Sequence, residues 1–112
     1  MKISEICEKI EAKVLCGDTD KCFDGVYVGD LLSRAMSHVC EDNIWITIMS
    51  NVNVIAVASL TEPAAVLLAE SVELTEDVLA GAAENGITVL SSPLGAYELC
   101  VRLRDASSET GI

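Results

Sequence analysis

The segment Ile44-Trp-Ile-Thr-Ile-Met49 decides the fold class, because it is a run of β-branched and aromatic residues that is typical of a buried strand. Two further strands are predicted downstream, over Ala65–Glu70 and Ile87–Leu90. Helices are predicted between the strands, over Val52–Leu60 and Glu76–Asn85. Alternation of strand and helix is the pattern of right-handed parallel crossovers. The sequence therefore predicts an α/β fold, a layered sandwich with a mainly parallel sheet flanked by helices.

The helix over Val52–Leu60 is predicted from its flank and its composition, because its apolar residues occupy both faces of either a helix or a strand. Asn51 can cap a helix, and Ala56 and Ala58 are strong helix formers. These residues favour a helix over a strand.

The first forty residues are predicted to form two helices and two strands. A short helix over Ser4–Glu11, capped by Ser4, precedes strands over Val14–Cys16 and Gly25–Gly29. Asp30 follows the second strand and can cap the clearest amphipathic helix of the chain, over residues 31–40.

The last predicted helix begins at Ser92-Pro93, since proline is favoured at the first position of a helix. Four residues at helical spacing are predicted to share one face of it, with Leu99 and Leu103 alongside; the four are Leu94, Tyr97, Val101 and Arg104. A frayed tail is predicted from Ala106. The whole chain, residues 1–112, is predicted to be one domain.

The charge of the chain excludes one class of partner. Eighteen acidic residues against seven basic ones give a net charge of -11, which argues against nucleic acid and acidic membrane surfaces. No lysine or arginine occurs between Ala35 and Val101. A phosphate bound by that stretch would need backbone amides and helix N-termini, with any cation supplied from the ends of the chain or from another subunit.

The apolar content of the chain predicts a second copy as a partner. Hydrophobic residues make up 51% of the sequence, and several predicted helices are apolar on more than one side. Some of this surface is expected to be buried in a homodimer. The segment Met1–Val14 carries too many charges for a signal peptide, and no apolar run is long enough to cross a membrane, so a cytoplasmic location is expected.

The five cysteines are read as reduced thiols, without a metal site or another cofactor. Cys16 and Cys22 lack the two-residue gap that is usual in zinc and iron-sulfur sites. Cysteine catalysis is not supported either, because His38 and Cys40 are predicted to point to different sides of a helix. The sequence therefore predicts a protein that is not an enzyme.

The candidate site is the edge of the sheet where the parallel strands end, because ligands of open α/β sheets bind there. The residues predicted to bind a small polar ligand are Ser50, Asn51, Asn53, Ser91 and Ser92. Asparagine offers both a donor and an acceptor. Structural roles remain open for all of them: Asn51 and Ser92 could act as helix caps, and Asn53 could be a buried amide bonded to the backbone.

Five short runs carry a resemblance to a known family: Gly29-Asp-Leu-Leu-Ser33, Trp45-Ile-Thr47, Asn51-Val-Asn53, Ala56-Val-Ala-Ser-Leu60 and Gly86-Ile-Thr-Val-Leu-Ser91. In these runs the chain resembles small stand-alone proteins of the DRTGG domain group, which are similar in turn to the N-terminal, non-catalytic domain of HPr serine kinase. The resemblance covers roughly Val14 to Arg104.

The resemblance implies an α/β sandwich that serves as a regulatory or assembly module and is not itself catalytic. The residues that name the family are not kept: its Asp-Arg would fall at Ser50 and Asn51, and its Thr-Gly-Gly near Ala69, Glu70 and Ser71. Two functions are therefore expected as alternatives. One is a dimerising regulatory module that binds a small polar metabolite or nucleotide, and the other is an interaction module for a protein partner without a small ligand.

Overall fold

The computed structural model describes residues 1–109, which form five helices and five strands. In chain order the elements are α1 (Ile3–Ile6), β1 (Lys13–Cys16), β2 (Gly25–Val28), α2 (Leu32–His38), β3 (Asn43–Thr47), α3 (Val52–Thr61), β4 (Ala65–Leu68), α4 (Glu76–Glu84), β5 (Val89–Ser91) and α5 (Ala96–Glu109).

The five strands form one sheet in the order β1-β5-β4-β3-β2. Strands β2, β3, β4 and β5 run parallel to one another. Strand β1 runs antiparallel to β5 and begins with Lys13 opposite Ser91. The predicted fold class, a mainly parallel sheet flanked by helices, is confirmed.

The helices cover both faces of the sheet, because alternate strand residues point to opposite sides. Ile44, Ile46 and Leu67 share one core cluster with residues of α1 and α5. Trp45 and Val66 belong to a second cluster with residues of α2, α3 and α4. The central strand β4 is buried at all four positions, which explains why its sequence is continuously apolar.

The ambiguous segment after β3 is a helix, as predicted. Asn51 caps α3 by accepting a hydrogen bond on its side chain from the backbone N–H of Asn53, at 2.9 Å. The helix ends at Glu62, which has a left-handed backbone and is followed by Pro63.

Helix α1 is shorter than predicted, and Ser4 is not its cap. The helix begins one residue earlier, after Lys2, whose backbone N–H donates to the Glu5 carboxylate at 2.9 Å. The backbone N–H of Ser4 donates instead to the carbonyl of Thr19, at 2.9 Å. The backbone hydrogen bond from Ser4 to the loop residue Thr19 is therefore part of what fixes the start of the helix.

The prediction that Asp30 caps α2 is wrong. The residue at the cap position is Leu31. The Asp30 carboxylate accepts hydrogen bonds from the Thr47 hydroxyl at 2.7 Å and from the backbone N–H of Ile48 at 3.0 Å. The side chain of Asp30 therefore bonds to the end of β3 and does not cap α2.

The predicted start, the predicted grouping of residues on one face and the frayed end of the last helix also need correction. Helix α5 begins at Ala96, later than predicted, and Leu99, Leu103 and Ala106 form its buried face, whereas Tyr97 is 82% exposed. The helix continues through Glu109, so the frayed tail is wrong for residues 106–109, and the remaining residues 110–112 lie outside the described residues.

Candidate functional site at the carboxyl edge of the sheet

The ends of the four parallel strands lie along one edge of the sheet, which we call the carboxyl edge. In spatial order it is formed by residues 92–95 after β5, 69–72 after β4, 48–51 after β3 and 29–30 after β2. Ser50, Asn51 and the first turn of α3 lie in the middle of this edge.

The two predicted asparagines and Ser50 are all exposed. The carboxamide oxygen of Asn51 is engaged in the helix cap. Within residues 1–109, the side chains of Ser50 and Asn53 have no hydrogen-bond partner. Asn53 is therefore not the buried amide that was considered as an alternative, and its donor and acceptor are available to a ligand.

The two predicted serines, in contrast, are bonded to the protein itself. The Ser91 hydroxyl donates to the carbonyl of Val72 at 2.7 Å. The fully buried Ser92 hydroxyl donates to the carbonyl of Ile10 at 2.7 Å and accepts from the N–H of Leu94 at 3.1 Å. These bonds hold neighbouring loops at the carboxyl edge, and a direct contact of either serine with a ligand stays a prediction.

Two basic residues lie at this edge, and both come from the part of the sequence before the stretch 35–101, which contains no lysine or arginine. The antiparallel pairing of β1 places Lys13 beside Ser91, where its ammonium forms an ion pair of 2.8 Å with Glu73. Arg34 lies in the first turn of α2, and within the described residues its side chain has no partner. The sequence offers a signal for Arg34, because this residue lies just before the stretch that contains no lysine or arginine. It offers none for Lys13, because the position of Lys13 depends on how β1 pairs with β5.

The loop after β4 has an unusual backbone. Glu70 and Ser71 are consecutive residues with positive φ, +57° and +63°, a region that usually favours glycine. Hydrogen bonds to the loop after β5 hold them there, from Glu70 N–H to the Leu94 carbonyl and from Ser71 N–H to the Ser92 carbonyl, at 2.9 and 2.8 Å. This is the region where the Thr-Gly-Gly run of the resembled family was expected to fall. Glycine adopts a left-handed backbone without steric strain, which is a physical reason for the two glycines that name the family.

Three of the five cysteines are half-buried. Burial raises the pKa of the Cys7, Cys16 and Cys100 thiols, which lowers their reactivity at neutral pH. His38 stacks on Tyr27, with ring centroids 6.0 Å apart. In the described part of the chain, no three metal-ligating side chains are grouped as a metal ion requires.

A cavity of about 500 Å³ lies at the opposite edge of the sheet, where the parallel strands begin. Its lining includes the acidic residues Glu41, Asp42 and Glu62. It also contains Lys21, whose ammonium donates to the carbonyl of Gly86 at 2.9 Å. Because the charged residues of this lining are three acids and one lysine, the cavity is a poor site for an anionic ligand.

Comparisons with known proteins agree with this architecture. The family model of the DRTGG domain matches residues 5–106. Among solved structures, the chain is similar to the crystal structure of the CBS and DRTGG domains of the regulatory region of Clostridium perfringens pyrophosphatase, complexed with its activator diadenosine tetraphosphate. The TM-score is 0.75 at 13% sequence identity, over 90% of this chain and 45% of that one. This chain thus spans less than half the length of that crystallised chain, and no curated protein matches it.

Proposed function

This chain belongs to the DRTGG domain family, and we propose that it is a non-catalytic regulatory module that dimerises and binds a small polar metabolite or nucleotide at the carboxyl edge. Ser50, Asn51 and Asn53 form the centre of the proposed site, with Ser91 and Ser92 holding its border. A cytoplasmic location is part of the proposal. Within residues 1–109, no helix is both long and apolar enough to span a membrane.

The single observation that carries the proposal is that neither the carboxamide of Asn53 nor the hydroxyl of Ser50 has a hydrogen-bond partner within residues 1–109, and that both residues lie at or just before the start of α3. The positive end of the helix dipole lies here and favours an anionic or polar group. Arg34 lies along the same edge and supplies a positive charge that the middle of the sequence lacks, whereas the ammonium of Lys13 is paired with Glu73. This arrangement supports a ligand that combines polar and anionic groups.

The similarity to the pyrophosphatase regulatory region supports a nucleotide as the first ligand to test, because that region was crystallised with a nucleotide activator. The predicted likeness to the N-terminal domain of HPr serine kinase points to the same regulatory class and stays a prediction. The absence of catalysis is supported by the thiols, since burial raises the pKa of Cys7, Cys16 and Cys100 above the ordinary value.

The alternative function, a protein interaction module without a small ligand, is favoured by a different observation. Several large apolar side chains near the carboxyl edge are exposed. They are Val28, Leu31, Ile48, Val52 and Tyr97, with exposed fractions from 46% to 82%. Apolar surface of this kind is typical of contact with another chain.

A thermal-shift screen of the purified chain with nucleotides and acidic metabolites tests the ligand. We expect at least one nucleotide to raise the melting temperature, and Asn53→Ala to reduce that shift. Ser4→Ala is the control, because Ser4 is exposed near the opposite edge, and it should keep the full shift. If no compound stabilises the wild-type protein, the ligand is rejected and the interaction module remains.

A further inference from the structure

We propose that a second copy of this chain pairs with the first along β2, antiparallel, so that two five-stranded sheets become one continuous sheet. The inference rests on the dimerisation in the proposed function and identifies the surface that carries it. It also explains why one side of the sheet ends in an uncharged strand.

The two edge strands of the sheet differ in how they are protected from further pairing. The β1 edge has an irregular register between Val14 and Cys16 and carries Lys13, and bulges and charged side chains are the usual protection of an edge. The β2 edge, over Gly25–Val28, pairs regularly with β3 at four positions and contains no charged residue. Of the two edges, only β2 is therefore open to another strand.

The backbone of β2 fixes the register of such a pair. Gly29 donates its N–H inward, to the carbonyl of Ile46, so the alternate residues Val26 and Val28 direct their N–H and C=O groups outward. All of these groups are satisfied only when Val26 of one copy lies opposite Val28 of the other. The two-fold axis then passes through Tyr27. The pairing cannot extend past Phe23, because Phe23 already donates to the carbonyl of Met1 at 2.9 Å.

The side chains along this register are apolar and exposed. Val26 and Val28 are 39% and 46% exposed, and they lie on the sheet face covered by α5. Val26 borders a groove of about 400 Å³ that is also lined by Phe23 and Leu103. Opposite valines would shield each other from water in the dimer, because facing side chains on antiparallel strands lie close together.

Each end of β2 carries one acidic and one basic residue, so an antiparallel pair can bring opposite charges of the two copies together. Asp24 and Arg104 lie at one end of the strand, beside the groove, and Asp30 and Arg34 lie at the other end. Neither arginine has a partner among the described residues. A two-fold axis through Tyr27 brings the first end of one copy alongside the second end of its neighbour, so each acid approaches a cation of the other chain.

Sedimentation velocity over a range of concentrations tests the inference with a matched pair of variants. Val28→Lys places a charge on the proposed interface, and Val14→Lys places the same charge on the other edge strand, where valine is equally exposed at 45%. We expect the wild type and Val14→Lys to dimerise and Val28→Lys to weaken the dimer at least tenfold. Circular dichroism and thermal unfolding confirm that both variants fold.

The outcomes separate this inference from the proposed function. A monomeric wild type at all concentrations overturns the dimer itself and, with it, the pairing. A dimeric wild type that is unaffected by Val28→Lys keeps the dimer but rejects β2 as its surface. A charge reversal supplies a second readout: Arg34→Asp should weaken the dimer, and the added change Asp24→Arg should restore it. Failure of this restoration would reject the antiparallel register.

Discussion

The Thr47 hydroxyl donates a hydrogen bond of 2.7 Å to the Asp30 carboxylate, which joins the end of β3 to the loop that follows β2. The same carboxylate oxygen accepts from the N–H of Ile48 at 3.0 Å. Thr47 is only 2% exposed. This small network fixes the geometry of the carboxyl edge immediately before the loop that carries Ser50 and Asn51.

Replacing Asp30 is expected to destabilise the protein, because it leaves the Thr47 hydroxyl and the Ile48 N–H without their acceptor. Asp30→Ala should lower the free energy of unfolding by about 1–3 kcal/mol, measured by urea denaturation. A double-mutant cycle with Thr47→Val isolates the interaction. Additive effects of the two changes would contradict a direct coupling.

The roles of two predicted site serines can be separated by the same measurement. Ser92→Ala removes a buried hydroxyl that bonds to Ile10 and Leu94, and we expect a loss of about 1–3 kcal/mol. Ser50→Ala removes an exposed hydroxyl without a partner in the described part of the chain, and it should change stability by less than about 0.5 kcal/mol. Equal effects would contradict the assignment of Ser92 to structure and Ser50 to the open site.

The sequence predicted the layers of the fold better than the positions of individual side chains. The central strands β3 and β4 were recognisable because both of their faces are buried, which makes runs such as 44–49 and 65–69 continuously apolar or β-branched. Asp30 was misassigned because an aspartate before a helix has the local pattern of a cap, whereas its true partner, Thr47, is seventeen residues away. Local patterns contain no information about such contacts.

The same limit applies to the candidate site. Asn51 and Asn53 follow directly from the order of strand and helix, so their positions at the carboxyl edge could be predicted. The approach of Lys13 to Ser91 could not, because it requires β1 to run antiparallel at the far side of the sheet. The face of α5 was misjudged because Leu99, Leu103 and Ala106 are also at helical spacing, and only packing distinguishes the two faces.

The left-handed loop after β4 should become more stable when glycine is introduced. Ser71→Gly removes the steric cost of a φ of +63°, and we expect a gain of about 0.5–1 kcal/mol after the greater entropy of the unfolded chain is subtracted. Ser50→Gly is the control: Ser50 is not among the described positive-φ residues, so this change should destabilise. A loss of stability in both variants would contradict this account of the loop.

Gly17 is expected to be irreplaceable for two reasons that a matched pair of variants can separate. Its φ is +97°, and an added Cβ would collide with the Cα of Thr88. Gly86 also has a positive φ, +69°, but open space surrounds its missing Cβ. We expect Gly17→Ala to prevent stable folding or to cost more than about 3 kcal/mol, and Gly86→Ala to cost about 1–2 kcal/mol. Similar costs in thermal unfolding would show that backbone conformation alone decides both positions.

The corrected face of α5 predicts unequal effects of two large-to-small changes. Leu103 is 2% exposed and belongs to the core, so Leu103→Ala should cost about 2–5 kcal/mol. Tyr97, on the predicted but incorrect face, is 82% exposed, and Tyr97→Ala should cost less than about 0.5 kcal/mol. The comparison is made by urea unfolding, and a larger effect at Tyr97 would restore the face that the sequence suggested.

The half-buried thiols predict how stability depends on pH. Burial raises the pKa of the Cys7, Cys16 and Cys100 thiols above the ordinary value of 9.0, so the folded protein holds these protons more tightly than the unfolded chain. Their contribution to stability is therefore complete below about pH 8 and is lost as the pH rises past the ordinary thiol value. Urea unfolding from about pH 8 to about pH 10 should show a decline that is shallower in a variant with all three cysteines changed to alanine. An equal decline in the triple variant would assign the effect to other groups.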